Sequence, residues 1–378
     1  MSKRSFAIFC LSFFTVSFGV AAMAALIPSI AAYFNIDQDS TLKLTWLYML
    51  PYGVFALFWA PLTRVVKVKK LFLIATVGFC LASLFFSLSQ SINQAFIFRF
   101  CMGCFGCSFV PLILITIGKT VPAVKKAKFI GILFSLSYAS TFFSVFLSGL
   151  LHWKFIYLIP VVLSFFVFVF GLFFLEDFDF RGDKFKISYV KTVKDREAFL
   201  FFMVIILASF IYHSLQQRLG VYLSQTYSLK QVLISAIFTV ATMSAILFQL
   251  LGGMFSSRFG NIKISRIGFF LMGVFTLIIL FIQNYQMLFF VVILWSSGWA
   301  LTHVGLSAHL TSFPDRILRD AASLNSALRF SFGGLGALVG GFLVSLVGFK
   351  VLFGIVGVGA ITLGCCLNKV IDRRLRYE

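Results

Sequence analysis

The sequence predicts an all-α integral membrane protein whose twelve transmembrane helices form two pseudo-symmetric six-helix bundles. Three observations support this prediction. First, the 378 residues are 60% hydrophobic and only 12% charged, which leaves too few charges for the surface of a soluble protein of this length. Second, twelve apolar stretches occur along the chain, each close to the ~20 residues that cross a bilayer as a helix. Third, one long polar segment, 176–197, separates the stretches into two sets of six.

The apolar stretches follow one another with short connections. In chain order they cover 6–34, 44–62, 71–90, 94–118, 129–150, 155–175, 198–223, 229–251, 265–283, 287–311, 321–346 and 349–369. The first begins directly after a short cationic start and has no small-residue cleavage site, which indicates an uncleaved span. We predict an N-terminal bundle over 1–175, a cytoplasmic linker over 176–197 and a C-terminal bundle over 198–378. This division leaves no room for an extramembrane catalytic domain, so we expect no enzyme.

Cationic side chains are distributed very unevenly between the two sides of the predicted membrane. When residues at span edges are counted with the adjoining gap, 25 of the 32 Lys and Arg lie at the termini and in alternate gaps. The opposite gaps hold only four, namely Lys43, Lys154, Lys230 and Lys350. This asymmetry predicts that both termini are cytoplasmic. We therefore expect a multi-pass inner-membrane protein.

The net charge of +20 would suggest nucleic-acid binding in a soluble protein. Here the cations are spread over short loops, where topology and contact with anionic lipid headgroups account for them. We expect the lipid bilayer to be a partner of this chain and nucleic acid not to be one.

The two predicted bundles carry similar turns after their second spans. Residues 60–70 and 253–263 both join antiparallel helices and place cations at the membrane surface. Because the turns occupy the same ordinal gap of each set, they indicate internal duplication of a six-span unit.

These turns and two further segments resemble the major facilitator superfamily, most closely its twelve-span drug:proton antiporter and sugar-efflux branch. The second turn matches the inter-span pattern of that family at Gly253, Arg258, Gly260 and Lys263. Span 4 carries Arg99-x-x-x-Gly103, and the segment 153–157 is similar to the family's opening of span 6. The resemblance extends over essentially the whole chain.

The resemblance implies a secondary transporter that works by alternating access, with the two bundles rocking about a midplane site. It also implies that the turns gate the cytoplasmic face, which makes Arg64, Arg258, Gly253 and Gly260 the candidate gating residues. Arg64 and Ser257 stand where the family has an acid, and the sequence shows no replacement for that acid. We expect a small-molecule substrate, a monomer, and no cofactor or metal.

Charged residues within the predicted spans have an unusual sign balance. All twelve acidic residues fall outside the spans, whereas Arg99, Arg218, Arg329, His213 and His303 fall inside them. A charge at membrane depth is costly unless it is paired, hydrated or able to reach the interface. The predicted interior is therefore formally cationic, and an anionic substrate could supply the counter-ion.

Two of these arginines are candidates for substrate binding. Arg329 lies about eight residues into span 11 and one turn after Asn325, a depth at which snorkelling to the interface is difficult. Arg99 shares a helical face with Gly103 in span 4. For Arg99 the alternative is a structural role, in which carbonyls and hydroxyls of neighbouring helices cap the guanidinium.

The intramembrane histidines complete the predicted substrate-binding set. His213 and Gln217 lie one turn apart in span 7, and His303 shares a face of span 10 with Trp299 and Ser307. A histidine can bind and release a proton near physiological pH, so the proton is a candidate coupling ion. Hydrogen bonding to the neighbouring amides is the alternative.

Three functions remain open at this point. The first is ion- or exchange-coupled export of a small organic solute. The second is uptake or exchange of an organic anion that the intramembrane arginines bind. The third is a membrane sensor or assembly factor that has kept the fold without transporting. No GxxxxGK[ST] nucleotide-binding loop occurs in the sequence, so ATP would have to act through another subunit.

Overall fold

The computed structural model describes residues 1–181, 189–313 and 315–371, with the side chains of 123–124, 126–128, 315–319 and 322 left aside. All regular secondary structure in these ranges is helical. The helices are α1 Lys3–Ala21, α2 Met23–Phe34, α3 Gln38–Thr41, α4 Lys43–Leu62, α5 Val68–Leu88, α6 Ile92–Gly106, α7 Phe109–Thr120, α8 Ala123–Ser148, α9 Trp153–Phe174, α10 Tyr189–Lys194, α11 Arg196–Gln216, α12 Leu219–Tyr227, α13 Gln231–Phe259, α14 Asn261–Ile279, α15 Tyr285–Leu310 and α16 Asp315–Ile371.

These helices supply the twelve predicted spans. Within the described residues, eleven helical stretches are long and apolar enough to cross a membrane, and the last of them runs over Ser323–Ile371. That stretch contains two spans, because Gly348 interrupts α16 with a non-helical backbone at φ 79° and ψ 172°. A positive φ of this size is readily adopted only by glycine. The prediction of an all-α membrane protein is confirmed.

The chain divides into two compact units, Met1–Ile187 and Ser188–Glu378. In the first unit, span 1 (α1) packs on span 5 (α8), span 2 (α4) on span 4 (α6), and span 3 (α5) on span 6 (α9). In the second unit, span 7 (α11) packs on span 11 (the first part of α16), and span 8 (α13) packs on span 10 (α15). Span 9 (α14) packs on span 12, the last part of α16. Each unit therefore uses the same pairing of its six spans.

The first span of each unit also has the same internal construction. Span 1 breaks at Ala22 between α1 and α2, and span 7 breaks at Gln217 and Arg218 between α11 and α12. Both spans end in a residue with left-handed backbone, Asn35 and Ser228, each at φ 52°. A left-handed residue after a helix turns the chain away from the helix axis, so each unit makes the same tight connection to its second span. This agreement is what duplication of a six-span unit predicts.

Close crossings of helix backbones position the second unit's polar residues. A Cβ atom on Gly336 or Gly340 of α16 would collide with the carbonyl oxygens of Phe210 and Ser214 on α11. Small residues at such crossings let two membrane helices approach closely. The crossing fixes α11 against span 11 on either side of His213.

Candidate functional site

Arg329 is the centre of a polar cluster in the second unit. Its guanidinium Nε donates to Asn325 Oδ1 at 3.0 Å, one turn earlier on α16. Its Nη2 lies 3.5 Å from Ser307 Oγ on α15, to which it donates a long hydrogen bond. The residue is half-buried, and these two hydrogen bonds hold the guanidinium in place.

Two imidazoles lie in the same part of the second unit, those of His213 and His303, and each has its ring centroid 6.0 Å from that of Trp299. His213 Nδ1 lies 3.5 Å from the side-chain amide of Gln217 on the same span. His303 Nδ1 lies 3.0 Å from the amide nitrogen of Gln249 on α13. We call this set the Arg329 cluster; it draws on spans 7, 8, 10 and 11 and consists of His213, Gln217, Gln249, His303, Ser307, Asn325 and Arg329.

Three aromatic rings lie beside the cluster and form what we call the aromatic stack: Tyr212, Trp295 and Trp299. Tyr212 and Trp299 are parallel, with ring centroids 3.8 Å apart and planes only 3° from each other. Trp295 stacks on Tyr212 at 5.3 Å, so the tyrosine ring of α11 contacts two indoles of α15. The Trp299 ring lies 6.0 Å from the imidazole of His213 and 6.0 Å from that of His303.

The charge balance of the second unit favours a negatively charged ligand at this cluster. The sequence contains no Asp or Glu between Glu197 and Asp315, nor between Asp320 and Asp372. The hydrogen-bond partners given above for the guanidinium, Asn325 and Ser307, are neutral. A guanidinium presents a planar fork of N–H donors that matches a carboxylate, and the amide of Gln249 and the hydroxyl of Ser307 can donate as well. The arrangement can bind an anion by hydrogen bonds from several helices.

Arg99, the other arginine of the predicted substrate-binding set, belongs to the first unit and has different surroundings. Its side chain is 1% exposed. Nε donates to the carbonyl of Leu44 at 3.2 Å, and Nη1 donates to the carbonyl of Gly19 at 2.9 Å. The guanidinium carbon lies 4.4 Å from the centroid of the Tyr48 ring and 5.4 Å from that of Tyr157. Backbone carbonyls and aromatic faces therefore stabilise this charge within its own bundle.

The first candidate gating turn, which holds Arg64, is tied to the segment after span 6. Lys67 forms an ion pair with Asp177, and the backbone N–H of Val68 donates to the carbonyl of Phe178 at 3.1 Å. Arg64 itself is half-buried. Asp177 thus brings a carboxylate next to the first turn, where Arg64 occupies the acid position of the family pattern. This pairing could not be predicted because the two residues are separated by 110 positions in the chain.

The second candidate gating turn follows α13. Gly260 has φ 93° and lies between α13 and α14, a conformation that requires glycine. Gly253 is exposed, and a Cβ at that position would meet no atom within 4 Å, so space does not demand a glycine there. The Arg258 guanidinium is also exposed and lies 5.3 Å from the centroid of the adjacent Phe259 ring.

The structure brings five of the six predicted substrate-binding residues into one cluster and places Arg99 in the first unit. Trp299 and Ser307 were predicted only as neighbours of His303. Tyr212 and Gln249 had not been predicted at all. Gln249 carried a usable signal, since it is an isolated amide within the apolar run of span 8. Among the residues that the structure describes, no three His, Cys, Asp or Glu side chains are close enough together to hold a metal ion.

Two six-span units with the same pairing of spans, and a polar cluster at depth in the second unit, define the class of membrane transport proteins built on an internal repeat. Residues 9–334 match the family model of the Major Facilitator Superfamily, and the chain belongs to that family. Membership identifies it as a secondary transporter of small solutes.

Solved structures show the same fold. The crystal structure of the human organic anion transporter MFSD10 (TETRAN) aligns with a TM-score of 0.75 and 13% sequence identity, over 97% of this chain and 99% of that chain. The crystal structure of a POT family transporter in complex with 5-aminolevulinic acid aligns with a TM-score of 0.80 and 13% identity, over 98% of this chain and 96% of that chain. At this identity the likeness concerns the fold alone. It does not distinguish the drug:proton antiporter branch from other branches of the superfamily.

Proposed function

We propose that the protein exports a small organic anion by alternating access and that the anion binds at the Arg329 cluster. In this proposal the units correspond to the predicted bundles, both termini are cytoplasmic, and the protein works as a monomer in the inner membrane. The observation that carries the proposal is the position of Arg329. The residue is half-buried, it bonds to the neutral side chains of Asn325 and Ser307, and it lies among possible donors from four spans.

The energetics of a membrane interior support this assignment. A cation at depth is costly unless something compensates its charge. The spans of the second unit contain no acid that could do so permanently, and a bound anion would. Release of that anion at the other side would leave the cluster ready for another cycle.

The ligands of the two fold neighbours guide the choice of probes. One neighbour is described as an organic anion transporter, and the other holds 5-aminolevulinic acid, which carries a carboxylate. Organic anions and carboxylates both fit a site centred on an arginine. A probe panel should therefore contain organic carboxylates, with lipophilic cations and neutral sugars for comparison.

Substitution of Arg329 tests the proposal directly. We expect Arg329→Gln to abolish anion flux into or out of proteoliposomes, because the charge that attracts the anion is gone. We also expect the variant to keep a monodisperse profile and nearly the wild-type melting temperature. Arg196→Gln, which removes an exposed arginine at the start of α11, is the control and should retain transport. Full anion transport by Arg329→Gln would refute the proposal.

The two histidines of the cluster suggest a second feature, coupling of export to protons. His213 and His303 each pair with a glutamine amide and lie close to Arg329, so a proton on either imidazole would add to the positive charge that faces the anion. In this mechanism, transport follows an imposed pH gradient. The double variant His213→Ala, His303→Ala should lose that response while it still exchanges anion for anion. Exchange that is independent of pH in the wild-type protein would rule out proton coupling.

A further inference from the structure

The aromatic stack offers a flat apolar surface next to the Arg329 cluster. Tyr212 stacks on two indoles, and of these Trp295 is only 3% exposed, so packing holds this part of the stack in place. Trp299 is half-buried, which leaves part of its ring accessible. A rigid aromatic surface of this kind binds other rings at a low cost in side-chain entropy.

One face of α15 connects this surface with the guanidinium. Trp299, His303 and Ser307 follow one another at a spacing of four residues and so share a helical face. The Trp299 ring lies 6.0 Å from both imidazoles, and Ser307 accepts the hydrogen bond of Arg329. Eight residues of helix span ~12 Å, and the guanidinium bonds to Ser307 at the far end of this face. The separation suits one elongated molecule that has a flat ring system and an anionic group at one end.

We infer that the transported solute is an organic anion with a flat aromatic ring, whose anionic group binds Arg329 and whose ring packs against Trp299. This inference rests on the proposed function, and it adds the class of substrate. Trp299 is then the residue that selects for the ring, whereas Arg329 selects for the charge.

Three matched probes separate the contributions of ring and charge. They are 2-naphthoate, decahydro-2-naphthoate, which has the same carbon skeleton and charge without a flat ring, and the neutral 2-naphthamide. A favourable contact between aromatic rings lowers Kd by roughly two- to tenfold, in addition to the effect of burying apolar surface. We therefore expect purified protein to bind 2-naphthoate about fivefold more tightly than its decahydro analogue. The amide should bind most weakly of the three. Kd is obtained from the rise in melting temperature with ligand concentration.

Variants of Trp299 test whether this residue causes the preference for 2-naphthoate over its decahydro analogue. Trp299→Leu should bind both acids with nearly the same Kd, and Trp299→Phe, which keeps a ring, should retain most of the preference and controls for disturbed folding. Trp46→Leu makes the same change at a half-buried tryptophan of α4 and should behave like wild type. Arg329→Gln should lose the response to both acids.

Different results overturn different parts of the argument. Equal affinity of the wild-type protein for the two acids would refute a ring-selective site and leave anion transport intact. A preference that persists in Trp299→Leu would place the ring elsewhere and overturn the assignment to Trp299. No stabilisation by either acid would overturn the proposed function, and the inference with it.

Discussion

Arg99 and Arg329 are both arginines at membrane depth, and their surroundings differ in almost every respect. Arg99 is 1% exposed, donates to backbone carbonyls of two other spans, and is enclosed by aromatic rings. Arg329 is half-buried and bonds to side-chain oxygens. Backbone carbonyls cannot leave their place without unfolding of a helix, whereas a half-buried guanidinium can exchange partners with a ligand. The comparison indicates that Arg99 holds the first unit together and that Arg329 is available for binding.

The largest expected effect is the loss of stability that follows replacement of Arg99 in the first unit. Arg99→Gln removes two hydrogen bonds from a charged donor, each of which typically contributes about 1.5–3 kcal/mol. It leaves the carbonyls of Leu44 and Gly19 in an apolar interior. We therefore expect a loss of stability of about 3 kcal/mol or more, measured as a marked fall in melting temperature and in the yield of monodisperse protein.

The same substitution at Arg329 is the matched control for this prediction. Arg329→Gln should leave the melting temperature without ligand nearly unchanged, because Gln can still bond to Asn325 or Ser307. If Arg99→Gln is instead as stable as wild type and loses only transport, then Arg99 belongs to the substrate site and does not hold the first unit together.

The sequence predicted the fold well because the fold depends on features that the sequence displays directly. These features are the length of each apolar stretch, the alternation of cations between gaps and the positions of the acidic residues. Each can be read from the sequence without knowledge of distant contacts, and together they predicted the all-α architecture and its twelve spans. Five of the seven residues of the Arg329 cluster could be predicted because a polar group in an apolar run is conspicuous, as it is at Arg329, Asn325 and His213.

What could not be predicted depends on contacts between distant segments. The carbonyls that bond to Arg99 come from spans 1 and 2, and any residue type supplies a carbonyl, so the sequence left a structural role and a binding role equally open. Likewise, the Lys67–Asp177 ion pair joins the first turn to the segment after span 6. Tyr212 could not be predicted for another reason, since its place in the stack follows from contacts with Trp295 and Trp299 on another helix and not from its own surroundings in sequence.

The smallest expected effect is the loss of anion affinity when Asn325 is replaced by alanine. Asn325 accepts a 3.0 Å hydrogen bond from Arg329 Nε and so orients the guanidinium. Asn325→Ala should weaken anion binding roughly fivefold, the equivalent of one ordinary hydrogen bond, and raise KM for transport with little change in maximal rate.

Asn325→Asp has nearly the same shape and adds a carboxylate beside the guanidinium. An opposite charge at this distance favours the ionised acid, so Arg329 would gain an internal counter-ion and anion transport should fall much further than in the alanine variant. Comparison of the two variants in the same flux assay separates orientation from charge. If Asn325→Asp transports anions as well as Asn325→Ala does, the positive charge of Arg329 is not what attracts the substrate, and Arg329 would join Arg99 as a residue of structure.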